Sequence, residues 1–121
     1  MQILIIEDEK KTSGFLKKGL NESNFTTDIA ENGRDGIELL RNTPDVDAVL
    51  MDVMMPEMDG YETIRSIREI PQFRGLPIIA VTAKAMKGDR EKCIEAGATD
   101  YIPKPVDRDQ LLSLLRVWLS R

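Results

Sequence analysis

The chain has no histidine. That absence removes the usual general base, the usual transition-metal ligand and any phosphohistidine within the chain itself. A single cysteine, Cys93, excludes an internal disulfide and suits a reducing compartment. No apolar stretch approaches the roughly 20 residues of a membrane span. Met1 leads directly into a strand-like run and then into acids, which is not the pattern of a leader peptide. The expected location is therefore cytoplasmic. Net charge is −4 with no basic block, so this segment carries no nucleic-acid footprint.

What remains is ordinary for one globular domain. The 121 residues are 41% hydrophobic and 31% charged, enough for a single core, and the expected domain is 1–121. No linker, repeat or low-complexity segment interrupts it. Short β-branched runs fall near 2–6, 25–30, 46–51, 77–82 and 99–102. Between them lie stretches of helical spacing near 9–22, 33–42, 60–70, 87–96 and 108–119. Their expected inner faces are Thr12, Phe15, Leu16, Gly19 and Leu20; Gly36, Ile37 and Leu40; Ile64 and Ile67; Cys93, Ile94 and Ala96; and Leu111, Leu114, Leu115 and Trp118. Leu112 and Leu119 widen the last stripe, which is either a broad core face or a partner surface. Gly97 reads as a helix stop and Asp107 as an N-cap. Gly or Pro punctuates the loops, at Asn32-Gly33, Pro44, Pro56, Asp59-Gly60, Gly75, Pro77, Pro103 and Pro105.

Five β/α units in strict alternation imply an α/β fold, a doubly wound parallel sheet covered on both faces. The first, third and fourth strands are apolar nearly throughout, as central strands should be. The second, with Thr26, Thr27 and Asp28, and the short fifth belong at the edges. Right-handed crossovers then favour the order 2-1-3-4-5. Ligands of such sheets bind beyond the carboxyl ends of the strands, at the switch point between strands 1 and 3.

Glu7, Asp8 and Asp52 fall at that point, and Thr82 and Lys104 end the neighbouring strands. Three crowded carboxylates need a divalent cation to coexist as anions, and a lysine beside them needs an anion to hold. A metal-assisted phosphoryl group on Asp52 satisfies both demands.

Four stretches carry a resemblance. They are Ile5-Ile6-Glu7-Asp8-Glu9; Leu50-Met51-Asp52-Val53-Met54-Met55-Pro56-Glu57-Met58-Asp59-Gly60; Val81-Thr82-Ala83; and Gly97-Ala98-Thr99-Asp100-Tyr101-Ile102-Pro103-Lys104-Pro105. In this order, on this alternation, they resemble two-component receiver domains of the chemotaxis-receiver type over essentially the whole chain. The likeness is uneven. Residues 1–40 look most like receivers joined to winged-helix DNA-binding domains, and residues from about 46 onward like receivers of hybrid sensor kinases. A recombined or designed chain, or a divergent receiver, would show that unevenness.

The resemblance implies a flavodoxin-like (βα)5 fold and a phosphorelay role. It maps the phosphoacceptor onto Asp52. It gives Mg²⁺ to Asp8, Asp52 and the main-chain carbonyl of Met54, with Glu7 acting through water. Lys104 and the Thr82 hydroxyl would take phosphoryl oxygens, and Tyr101 matches the switch aromatic. The Lys104-Pro105 bond is expected to be cis. Met54 and Lys84 would border the path of attacking water, and Met54 offers no group to orient it, so slow self-dephosphorylation follows. The implied partners are a histidine kinase or histidine phosphotransfer domain, then an effector domain or a second copy through the fourth helix, fifth strand and fifth helix. The implied activity is a switch that catalyses only its own phosphorylation and slow dephosphorylation. A phosphohydrolase with an aspartate nucleophile is the main rival, but it would want an acid where Met54 stands. A nucleotide or flavin module would want a Gly-rich loop where Glu7-Asp8-Glu9-Lys10 stands.

Overall fold

Ile3, Leu4, Ile5 and Ile6 have no solvent exposure, so the first strand is covered on both faces. In the computed structural model, which describes residues 1–43, 45–54, 60–82 and 89–119, they belong to β1 (Gln2–Ile6). The other strands are β2 (Thr26–Ala30), β3 (Val46–Asp52), β4 (Ile78–Thr82) and β5 (Asp100–Pro103). All neighbours pair in parallel, in the order β2-β1-β3-β4-β5, as the alternation implied. The helices are α1 (Lys10–Glu22), α2 (Gly33–Asn42), α3 (Gly60–Glu69), α4 (Asp89–Ala96) and α5 (Arg108–Leu119). One 3-10 turn, Pro71–Phe73, lies between α3 and β4. The expected loop prolines Pro44 and Pro56, with Asp59, lie outside the described residues, as does the expected start of the fourth helix at 87–88.

Alternate residues of each strand feed two cores. Leu4, Ile6, Val49, Met51, Ile78 and Ala80 pack with Leu40, Ile64, Ile67 and Cys93 of α2, α3 and α4. Ile3, Ile5, Leu50, Ile79 and Val81 pack with Leu16, Leu20, Leu111 and Leu115 of α1 and α5. Leu112, Leu114, Trp118 and Leu119 are partly buried against the second core, so the wide stripe of α5 serves packing. The caps follow sequence chemistry. Asn32 accepts from the Asp35 N–H at 2.8 Å, and Asp107 from the Gln110 N–H at 3.1 Å. Gly97 closes α4 at φ +115°, where a side chain would be strained.

Two expected core residues face water instead. Phe15 is 52% exposed and Ile94 is 46% exposed. In α1 the inner face is Ser13, Leu16, Gly19 and Leu20, with Ser13 Oγ bonded to the Lys10 carbonyl. Gly19 faces the Arg108 side chain at the start of α5, where a Cβ would lie 3.2 Å from Arg108 Cδ, and Phe15 lies off this inner face. In α4 only Cys93 and Ala96 turn inward among the described side chains.

Candidate functional site

The register of the sheet builds the site. Ile6 pairs with Met51 across β1 and β3, so the next residues, Glu7 and Asp52, stand side by side where both strands end. Asp52 also pairs with Val81 of β4, which puts Thr82 one step beyond it. Thr82 in turn pairs with Pro103 of β5, and Lys104 follows, its N–H donating to the Thr82 carbonyl at 2.6 Å. The expected convergence of Glu7, Asp8, Asp52, Thr82 and Lys104 is therefore present. The Lys104-Pro105 peptide is cis, as expected.

Gly60 makes room for this corner. A Cβ there would collide with the Val53 backbone and lie 2.5 Å from the Asp52 carbonyl oxygen. The first turn of α3 can approach the end of β3 only without a side chain. The sequence marks Gly60 as part of a turn, a helix start and a motif stretch, without its packing role.

Glu7 and Asp52 are buried, at 2% and 3% exposure, whereas Asp8 is exposed. Glu7 Oε2 accepts from the Glu9 N–H at 3.2 Å, and Asp52 Oδ1 from the Met54 N–H at 2.9 Å. Lys104 Nζ lies 3.1 Å from Glu7 Oε1 and 3.5 Å from Asp52 Oδ2. The contact to Glu7 Oε1 is an ion pair without hydrogen-bond alignment, which leaves that buried oxygen without a hydrogen bond. Burial raises the Glu7 carboxyl to about 7, helped by the hydrogen bond and charge of Asp52 and opposed by Lys104 and the Glu9 N–H. Burial alone would lower the Lys104 ammonium, but Glu7 and Asp52 outweigh it and the net shift is upward.

Among the described residues three carboxylates share one ammonium, so this cluster lacks positive charge. A proton on Glu7 supplies part of it; a dication would supply all. One carboxylate oxygen from each of Glu7, Asp8 and Asp52 can be chosen so that all lie within 4.8 Å of one another. Ligands on opposite sides of a Mg²⁺ at roughly 2.1 Å stand about 4.2 Å apart, so small rotations suffice. Hard oxygen donors with one unbonded buried oxygen fit such an ion. Met54 extends its side chain into solvent at 61% exposure, and Tyr101 is half-buried on the edge strand. Lys84 lies outside the described residues.

An open parallel sheet with acids at its switch point defines the flavodoxin-like class. Comparison with known proteins narrows it. The family model described as "Response regulator receiver domain" matches residues 3–116. The transcriptional regulatory protein CusR of Escherichia coli K12 is 40% identical over all 121 residues, in one alignment spanning both halves of the chain. That alignment covers 100% of this chain and 52% of CusR, so the chain spans about half the length of the curated relatives it matches. A receiver domain of a histidine kinase from Syntrophus aciditrophicus is 36% identical with a TM-score of 0.89, covering 98% of this chain and 89% of that one. The receiver domain of the Pseudomonas aeruginosa sensor kinase PA1611, solved with magnesium in its active-site cleft, is 35% identical with a TM-score of 0.86, covering 99% and 98%. The chain belongs to the response regulator receiver domain family: it is a receiver of two-component systems, a signalling domain of the kind phosphorylated on aspartate. No helix among the described residues is long and apolar enough to cross a membrane.

Proposed function

We propose that Asp52 is the phosphoacceptor, charged by a phosphohistidine on a histidine kinase or a histidine phosphotransfer domain. The observation that carries this is the Asp52 carboxylate itself, which ends β3 beside Glu7 and Asp8 and lies 3.5 Å from Lys104 Nζ. An Asp52 oxygen attacks phosphorus as the donor's P–N bond breaks, and the imidazole leaves with that electron pair and takes a proton from water. Asp8, Asp52 and the Met54 carbonyl would hold Mg²⁺, with Glu7 reaching it through water. When bound, the ion neutralises charge on the transferring phosphoryl oxygens. Lys104 is already at the corner and moves from carboxylate to phosphoryl oxygen; the Thr82 hydroxyl takes another.

The new dianion draws Thr82 and Lys104 toward it, and Tyr101 on β5 follows. That biases a two-state equilibrium of the face formed by α4, β5 and α5. This face serves an effector domain or a second copy of the chain. The magnesium site of the PA1611 receiver and the transcriptional role in the CusR name support this reading. A cytoplasmic location goes with it. The domain acts as a switch rather than a turnover enzyme, catalysing only its own phosphorylation and slow dephosphorylation.

Titration with beryllofluoride, a phosphoryl mimic, tests the site. Saturable binding is expected for the wild type with Mg²⁺, and its loss in Asp52→Asn or in chelator. Equal binding to the Asp52→Asn protein would refute the assignment.

A further inference from the structure

Arg68, in the last turn of α3, is half-buried, and no acidic side chain pairs with it among the described residues. Neutral acceptors surround it instead. Nε donates to the Gly97 carbonyl at 2.7 Å. Nη1 donates to the Phe73 carbonyl at 2.7 Å and the Arg74 carbonyl at 3.2 Å. Nη2 donates to Thr99 Oγ1 at 3.2 Å, and that hydroxyl also accepts from the Ile78 N–H at 3.1 Å.

Charge explains why a cation sits there. α3 ends at Glu69, the 3-10 turn at Phe73 and α4 at Ala96. The last two ends meet at Arg68 and leave carbonyls with partial negative charge. A guanidinium answers both because its rigid fork presents five donors in different directions; an ammonium is a point. Gly97 gives the space: a Cβ there would lie 2.7 Å from Arg68 Cγ.

The inward side chains described for α4, Cys93 and Ala96, lie in its second half. The Ala98 N–H bonds back to the Cys93 carbonyl at 3.0 Å. So the described anchors of α4 gather at its C-terminal end, at the opposite end of the strands from Asp52.

We propose that Arg68 is a positioning residue that pins the end of α4 and the start of β5. A response begun at Thr82 then pivots α4 about Gly97 instead of displacing the helix bodily. This rests on the reading of Asp52 and Thr82 given above.

Residue-resolved amide hydrogen exchange on the whole chain, with and without Mg²⁺ and beryllofluoride, tests it. The proteins are wild type, Arg68→Lys, which keeps the charge but loses the fork, and Arg68→Gln. In wild type, exchange at Ala98 and Thr99 is expected to change by less than about twofold on ligand addition, and in both variants by about tenfold or more. The β1 amides report global stability and should not share that change. Beryllofluoride affinity should stay within about threefold, since Arg68 touches no site residue. Equal changes at Ala98 and Thr99 in all three proteins, or a tenfold change already in wild type, would overturn the pivot. If wild type binds no beryllofluoride, the Asp52 reading fails instead. Anchoring is then judged without ligand: it stands only if the variants expose Ala98 and Thr99 more than β1.

Discussion

Lys104 Nζ lies 3.1 Å from the buried Glu7 carboxylate, and the same ammonium is 3.5 Å from Asp52. One cation thus divides itself between two acids that repel each other. Most of what the site does follows from that shortage of positive charge.

The first consequence is a pH dependence of the metal-free protein. Burial, with Asp52 beside it, raises Glu7 from 4.5 to about 7. Below 4.5 both folded and unfolded chains hold the proton, and nothing is gained or lost. Between 4.5 and 7 the unfolded chain releases it and the folded chain keeps it, so stability falls as pH rises through that window. The loss is at most about 3 kcal/mol by pH 8. Urea denaturation in chelator at pH 5 and pH 8 should show the wild type losing stability relative to Glu7→Gln. Parallel curves for the two proteins would rule this out.

Lys104→Gln should slow phosphorylation by acetyl phosphate on the order of 10²-fold, the usual cost of one lost donor to a transition state. It should also push Glu7 further upward and leave Mg²⁺ affinity unchanged or higher, because Lys104 is a competing cation and not a metal ligand. Rates from intact-mass time courses, with Mg²⁺ titrations alongside, separate the two effects. An unchanged rate at saturating Mg²⁺ would remove Lys104 from the chemistry.

Two glycines should respond in opposite senses. Gly60→Ala forces a methyl against the Val53 backbone and should cost roughly 1–3 kcal/mol and weaken Mg²⁺ binding. A Cβ on Gly14 meets nothing within 4 Å, so Gly14→Ala in the exposed middle of α1 should stabilise by about 0.5–1 kcal/mol. Thermal or urea unfolding of both variants checks the pair.

Met54 is exposed and offers neither an acid nor an amide to aim water at phosphorus. Slow loss of the phosphoryl group is expected, and Met54→Asn should shorten its lifetime several-fold by supplying a polar guide. A wild-type half-life of seconds would contradict this.

The strands were legible because Ile, Val and Leu runs buried on both faces leave little choice of structure, and the order followed from the polar second strand. The acids, threonine and lysine were legible because each ends a strand or follows one within two residues. Side-chain orientation was less so. Phe15 and Ile94 fit a helical apolar period, yet Ser13, Gly19 and the C-terminal half of α4 decide which face turns inward. The burial of Glu7 was hidden, because an acid pair after a strand does not say which acid turns in. Arg68 gave only the faint signal of a basic residue in a last turn, and three of its four acceptors are backbone carbonyls that carry no sequence trace.

The central claim is that one carboxylate, Asp52, takes the phosphoryl group with metal assistance. Incubation with acetyl phosphate, with and without Mg²⁺, followed by intact-mass and peptide-level spectrometry, reads it directly. One added phosphoryl group on Asp52, absent in chelator and absent from Asp52→Asn, is the expected result. A group on another residue of the wild type, or equal labelling without Mg²⁺, would contradict it.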